Sequence, residues 1–432
     1  MPAEYVLDGR KISSVALKCM LVSRGIKTDR EVYRRFSRSF RLDISPLTCN
    51  CIILSDGTIV QMTDMKFHLE YLNGALSWDN LKLLRYASEL GTPFRICMRG
   101  ERIALLHNGE LIDYVTLPDY TAFYKQCTAS GLPFMGNAVL QGVDWLAFQC
   151  LWPCEFAAVG KPCQFCFSGA AGQALAQRGK PQLPTVSTED FTEIVCYALD
   201  NTTARNIQIT GGSTINGGTE AAHIRAYLTA IRDKIGRDRI DDILLYITPP
   251  ESTALIDEYF TLGASRIACS LEVWDLEHAR EITPGKIELT TRQRHLDILE
   301  YTAKKHGPGS AFSNFIIGIE PFESLAEGAT YLAERGVLPT ASVWMPMGRP
   351  VMGTMRAPAA DYYERVIALF GELYSKHNLE PAGACGLNVC IERDIWRQAT
   401  LYLSSKKPAM YTKVKTSHTK RIGCEKMLQN KA

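Results

Sequence analysis

From about Asp144 onward, short apolar runs alternate with longer amphipathic stretches in a regular rhythm. The apolar runs predict strands at Trp145–Leu151, Asn206–Thr210, Ile243–Thr248, Arg266–Val273, Phe312–Ile319 and Thr340–Met345. Between them, apolar positions recur at helical spacing and predict helices near Thr188–Leu199, Glu220–Ile235, Ser252–Leu262, Thr291–His306 and Phe322–Arg335, with a further helix over Ala360–Ser375. Ser187-Thr188-Glu189-Asp190 reads as a helix start, because a hydroxyl cap followed by acids suits the free N–H groups and the dipole of a helix N-terminus. Six consecutive strand–helix units imply a parallel sheet, and right-handed crossovers curl such a run into a partial (βα)6-type TIM barrel. Gly386–Ile391 suggests a seventh unit.

Residues 1–140 lack that rhythm and predict a separate α+β accessory domain. Ser23 to Arg41 reads as a basic helix carrying Arg30, Arg34, Arg35 and Arg38. Phe94 to Leu117 reads as a β-meander, with Arg99-Gly100-Glu101 and Asn108-Gly109 as its turns. The expected organisation is therefore α/β: an accessory domain over 1–140, a barrel over 141–400 and a basic tail over 401–432. From Lys406 to Ala432 the tail holds eight Lys or Arg against one Glu, the pattern of a solvated segment.

Composition changes this picture little. The 432 residues are 46% hydrophobic and 22% charged, ordinary for a globular chain with a sizeable core. A net charge of +2 gives no field to draw in nucleic acid or an anionic membrane, so neither is an expected partner. Met1 to Arg10 has no apolar signal-type core, and runs such as Ile243–Ile247 and Ile316–Ile319 are too short to span a bilayer, so a cytoplasmic location is expected. Fourteen cysteines in a reducing compartment read as thiols or metal ligands, with Cys19, Cys97, Cys127, Cys196 and Cys269 taken as small buried hydrophobes.

The first barrel strand runs straight into a loop that carries Cys154, Cys163 and Cys166. In such barrels the chemistry sits at the C-terminal strand ends. Three thiolates on one loop there suit a cubane cluster, each binding one iron and leaving a fourth without a protein ligand. The alternative is a zinc site, which wants four ligands; Cys150, four residues before Cys154, has a suitable spacing to be the fourth. Under that reading the chain is a zinc-binding structural or RNA-binding protein. The cysteines alone do not choose between the two.

Cys-x8-Cys-x2-Cys, with the aromatic Phe165 before its last cysteine, resembles the radical S-adenosylmethionine (radical SAM) superfamily, whose usual first gap is three residues. Later landmarks are similar to its biotin-synthase-like subgroup. Ile209-Thr210-Gly211-Gly212-Ser213 resembles the Gly-Gly-Glu turn that meets the SAM amino group, with Ser213 in place of the acid. Ser270-Leu271-Glu272, then Arg280 and Ile282-Thr283-Pro284-Gly285-Lys286, resemble the region where a carboxylate and an arginine hold SAM. Phe315-Ile316-Ile317-Gly318-Ile319-Glu320 resembles part of the segment near the adenine, against which Phe165 would pack. Trp344-Met345-Pro346-Met347-Gly348-Arg349-Pro350 resembles the stretch after the sixth strand.

The resemblance spans about residues 140–375. It implies a [4Fe–4S] cluster and SAM as cofactors, with Cys154, Cys163 and Cys166 as cluster ligands. It further implies reductive cleavage of SAM to a 5′-deoxyadenosyl radical that abstracts hydrogen from a small-molecule substrate. Tyr246, Asn314, Trp344 and Arg349 are the candidate substrate-facing side chains, and an electron donor such as flavodoxin or ferredoxin is the implied partner. Cys385-x4-Cys390 and Cys49-x-Cys51 supply too few ligands for a second cluster and read as buried thiols. No histidine pair has i, i+4 spacing, and no nucleotide-phosphate or Gly-x-Ser-x-Gly motif is present.

Overall fold

A strand that is apolar on both faces is stable only when both faces are covered, and the chain solves this with helices packed around a curled sheet. The structure, a computed structural model, describes residues 4–29, 31–32, 51–61, 92–151, 154–166, 186–345, 352, 355–387 and 389–406.

In chain order, a hairpin of β1 (Glu4–Leu7) and β2 (Arg10–Ser13) leads into α1 (Ser14–Arg24). A short β3 (Lys27–Thr28) follows, then a second hairpin, β4 (Cys51–Ile53) and β5 (Ile59–Gln61). The meander is β6 (Phe94–Arg99), β7 (Arg102–His107) and β8 (Glu110–Val115), antiparallel throughout, with β3 added on its edge. Its second turn, Asn108-Gly109, has φ values of 49° and 88°, the left-handed pair a two-residue hairpin turn requires. A single turn, α2 (Thr121–Tyr124), joins this region to β9 (Val139–Gln141).

The barrel portion contains β10 (Trp145–Leu151), α3 (Glu155–Ala158), α4 (Thr188–Asn201), β11 (Asn206–Gly211), α5 (Gly218–Ala230), β12 (Ile243–Tyr246), α6 (Ala254–Thr261) and β13 (Arg266–Ala268). It continues through α7 (Leu276–Ile282), α8 (Pro284–Glu288), α9 (Arg292–His306), β14 (Ala311–Ile317), α10 (Phe322–Glu334), β15 (Leu338–Val343), α11 (Ala360–His377) and α12 (Glu392–Lys406). The sheet order is β15-β14-β13-β12-β11-β10-β9; β10 to β15 are parallel, and β9 closes the edge antiparallel to β10. The fold is thus the expected partial barrel of six parallel strands. All seven residues of β14 are buried, as a central strand covered on both faces must be. The start of α4 is capped as its sequence predicts, the Ser187 hydroxyl accepting the Asp190 N–H at 3.1 Å.

Three expectations need correction. The basic helix over Ser23–Arg41 does not form as a unit: α1 ends at Arg24, Gly25 takes φ 76°, and Lys27–Thr28 pairs with β6. Gly386–Ile391 adds no seventh parallel strand; among its described residues the chain makes one antiparallel bridge, Cys390 to Ser342. The fourth strand stops at Ala268 instead of Val273; beyond it the pairing continues only as a single bridge from Glu272, at φ 70°, to Phe315.

The N-terminal helix is fastened to the last barrel helices. Ser13 donates its N–H and hydroxyl to Glu364 of α11, and Arg10 pairs with Asp361. Lys18, completely enclosed, meets Asp394 at 2.7 Å and also donates to the carbonyls of Leu387 and Cys390. One hydrophobic core runs from Tyr5 through α1 and the barrel to Ile395.

Candidate functional site

The site is built at the C-terminal strand ends, beginning with the turn after β11. Gly212 donates its N–H to the Leu151 carbonyl at 2.9 Å, joining this turn to the end of β10. A Cβ on Gly212 would lie 2.4 Å from the Cys154 Cα, and one on Gly211 would lie 2.8 Å from the Leu151 nitrogen. Both glycines are therefore demanded by the close approach of the cysteine loop. Ser213 donates its N–H to the Cys154 Sγ at 3.3 Å, and its carbonyl accepts the Glu155 N–H at 2.9 Å. Glu155 in turn accepts from the Thr214 hydroxyl at 3.0 Å, so the Gly211–Thr214 turn and the cysteine loop are laced together.

The distal half of the loop leans on the segment after β13. Gln164 donates its N–H to the Ile282 carbonyl at 2.8 Å, and Cys166 donates its N–H to the Cys163 carbonyl at 3.1 Å. Burial pushes the Cys163 thiol well above its usual range; the Lys286 ammonium opposes this, while Cys166, Glu272 and Cys154 add to it. The charges of the three cysteines therefore act on one another around Cys163. Cys150 stands apart: it is buried in β10, its thiol is raised by burial, and the charge acting on it is that of Glu220. Among the described residues, no three His, Cys, Asp or Glu side chains stand close enough to hold one metal ion. A cubane asks less of its donors, because each thiolate binds a separate iron.

Ser270, Glu272 and Asn314 come together on neighbouring strand ends. The Asn314 amide donates to one Glu272 oxygen at 3.1 Å, and Lys286 donates to the other at 3.1 Å and to the Ser270 carbonyl at 2.6 Å. Asn314 Oδ1 accepts from the Ser342 hydroxyl at 3.0 Å, which orients the amide. Burial works against the Lys286 charge, but Glu272 and Cys163 more than offset it, and its pKa lies above that of an ordinary lysine.

The remaining candidates fall in different places. Phe165 packs on an apolar cluster that includes Val273, Ile282, Ile316, Trp344 and Met352. Trp344 is 4% exposed, and its indole N–H finds no acceptor among the described residues. Tyr246 meets Phe312 edge-on and lines a cavity of about 20 Å³ with Trp145, Thr340 and Glu392, room for about one water. Arg280 is exposed on α7 and makes no hydrogen bond or ion pair among the described residues. Glu320 accepts the N–H groups of Trp274 and Asp275 at 2.8–3.0 Å and so caps α7 from across the fold. Arg349 lies outside the described residues.

Two residues of the site carry no sequence signal of their own. Lys286 stands at the end of the Ile282–Lys286 stretch, but its side chain meets Glu272 only in the folded chain. Glu220, 5% exposed, accepts from the Thr248 N–H and hydroxyl, yet burial still raises its pKa to about 8.

No family model matches the chain. It is similar to bacteriochlorophyllide c C-7(1)-hydroxylase of Chlorobaculum limnaeum, 23% identical over 323 residues, covering 72% of this chain and 78% of that protein. Among solved structures it is similar to methylornithine synthase (13% identity, TM-score 0.39, 68% of this chain and 93% of that one). A radical SAM methyltransferase from Sphaerobacter thermophilus is also similar (14% identity, TM-score 0.37, 73% of this chain and 86% of that one). The chain thus combines a partial barrel of six parallel strands, a loop that carries Cys154, Cys163 and Cys166 after the first of them, and a sequence similar over most of its length to that hydroxylase.

Proposed function

We propose that the chain is a radical SAM enzyme, that Cys154, Cys163 and Cys166 bind a [4Fe–4S] cluster, that the strand ends around them hold SAM, and that the enzyme abstracts hydrogen from a small molecule in the barrel mouth. With both cofactors bound, the chemistry supplied is reductive cleavage of SAM to a 5′-deoxyadenosyl radical that attacks an unactivated C–H bond. The observation carrying this reading is the contact between the Gly211–Ser213 turn and Cys154, which ties the first cysteine to the second strand end through Gly212 and the Ser213 N–H. The burial of Cys150 inside β10, short of the loop, supports Cys154 as the first ligand.

For SAM, the Gly211-Gly212-Ser213 backbone offers close approach, and the Ser270–Glu272–Asn314 group offers fixed polar atoms at the next strand ends. Phe165 offers an aromatic surface beside this group. Glu320 already accepts two backbone N–H groups, and Arg280 is an exposed residue of α7. Tyr246, Asn314, Trp344 and Arg349 remain the substrate-facing set, with Asn314 already holding Glu272.

The substrate we favour is bulky and mainly apolar. Val159, Ile215, Leu276 and Leu289 are exposed large apolar side chains on loops or helix ends that follow strands β10, β11 and β13. The similar hydroxylase is named for a bacteriochlorophyllide, a substrate of that kind. A small electron-transfer protein of the flavodoxin or ferredoxin class is the reductant this chemistry needs. Among the described residues no helix is long and apolar enough to cross a membrane. Iron and sulfide analysis of anaerobically reconstituted protein tests the assignment: about four of each per chain are expected, and zinc without sulfide would refute it.

A further inference from the structure

Thr214, at the end of the turn after β11, is 3% exposed and is gripped from two sides. On the outer side its hydroxyl donates to Glu155 of the cysteine loop at 3.0 Å, and accepts at 3.0 Å the N–H of Gly217, the N-cap of α5. On the inner side its N–H donates at 3.0 Å to the hydroxyl of Thr248, two residues beyond the end of β12. Thr248 gives its hydroxyl proton to Glu220 Oε1 at 3.3 Å and its N–H to the same oxygen at 3.2 Å. The direction of the chain is fixed. A backbone N–H only donates, so the Thr248 oxygen accepts from Thr214 and its proton is left for Glu220.

Glu220 is the third residue of α5, where an acid ordinarily serves the free N–H groups of its own helix. Here it is 5% exposed, and its hydrogen bonds cross to the segment after β12 instead. Both fall on one oxygen, as on a carbonyl acceptor. Burial raises its pKa to about 8, so the carboxyl keeps its proton at neutral pH and glutamine copies its accepting oxygen.

The outer grip ties the turn to the cysteine loop, and the inner grip ties it to the barrel wall. Loss of the inner grip leaves the loop contacts in place: Gly212 N–H on Leu151, Ser213 N–H on Cys154, and the Ser213 carbonyl and Thr214 hydroxyl on Glu155. Support of the first cysteine and presentation of the turn's backbone are therefore separable by mutation.

We propose that Thr248 and Glu220 are positioning residues for SAM, holding the Gly211–Thr214 turn against the β12 end so that its backbone meets the cofactor, with no part in binding the cluster. The proposal rests on the assignment of that turn to SAM above.

The test is equilibrium dialysis of labelled SAM against reconstituted full-length protein, with iron and sulfide content measured on the same samples. Thr248→Val keeps the side chain's shape without its hydroxyl; it should hold a full cluster and bind SAM about tenfold more weakly than wild type. Thr248→Ser restores the hydroxyl and should bind SAM like wild type. Glu220→Gln should also match wild type, while Glu220→Leu should weaken SAM binding as Thr248→Val does. Thr248→Ala is a second hydroxyl-free variant and takes the place of Thr248→Val if the latter folds poorly.

Wild-type SAM affinity in the hydroxyl-free variant at full cluster content would overturn the proposal and leave Thr248 a merely structural role. Equal weakening in Thr248→Ser, or a loss of cluster in step with the loss of SAM affinity, would overturn it as well. Wild-type protein that carries a full cluster yet binds no SAM would instead overturn the site assignment.

Discussion

Gly212→Ala is the smallest change that should disable this site. The new methyl carbon would stand 2.4 Å from the Cys154 Cα, 2.6 Å from its Cβ and 2.8 Å from its nitrogen. All three atoms are backbone or directly attached to it, so no flexible side chain can swing aside. Either the β11 turn or the cysteine loop must move. The turn is held by the Gly212 N–H on Leu151, and the loop by the Ser213 contacts with Cys154 and Glu155. Overpacking of this kind costs about 1–3 kcal/mol. Because the strain falls on the Cα of Cys154, the first proposed ligand, cluster uptake should suffer more than folding. The expected result is a folded apo-protein with a lowered thermal midpoint and iron and sulfide content less than half that of wild type after reconstitution. Gly218→Ala is the matched control: nothing lies within 4 Å of its Cβ position, at the first residue of α5. It should be neutral or slightly stabilising, by up to about 1 kcal/mol. Full cluster content and wild-type stability in Gly212→Ala would refute the packing argument.

Three further predictions test other links. Lys18→Met strands the Asp394 carboxylate, which is 2% exposed, and should cost about 3–5 kcal/mol in denaturant unfolding, with most of the loss recovered when Asp394→Leu is added; a loss below about 1 kcal/mol would mean the pair does not anchor α1. Glu220 has its pKa raised from 4.5 to about 8 by burial, so the folded protein keeps a proton that the unfolded chain releases. Its contribution is complete below about pH 4.5 and is lost as pH rises through about 8, on the order of 5 kcal/mol at about 1.36 kcal/mol per pH unit. Glu220→Gln should therefore flatten the decline of thermal stability between about pH 5 and 8, and an unchanged slope would show that Glu220 ionises normally. Finally, Cys154→Ala should abolish cluster binding while Cys150→Ala keeps it; the reverse pattern, read by iron and sulfide content, would move the first ligand into the strand.

The barrel was legible because its strands are covered on both faces and its helices on one, so each type carries its own period. Trp145–Leu151 is the same strand in prediction and in structure. Errors arose where a single residue's backbone overrides the pattern. Arg266–Val273 reads as one apolar run, but the strand ends at Ala268 and the run turns at Glu272, whose φ is 70°. Around Ser23, the run of arginines suggests a continuing helix, while Gly25 ends it. The cysteine loop is a candidate metal site by its spacing and position alone. What the sequence cannot carry is the support behind it. Lys18 and Asp394 are 376 residues apart, and Lys286 meets Glu272 only because α8 folds back onto the loop. Glu320 shows the opposite case: its carboxylate matched a motif, yet in the folded chain it caps α7.

The most direct test of the central claim is product analysis under anaerobic conditions. Protein reconstituted with iron and sulfide is reduced with dithionite, given SAM, and assayed for 5′-deoxyadenosine. The account predicts that it forms with wild type and is absent from the variant with Cys154, Cys163 and Cys166 all changed to alanine. Equal 5′-deoxyadenosine from that triple variant, or none from wild-type protein that carries a full cluster and binds SAM, even with a bacteriochlorophyllide substrate present, would contradict it.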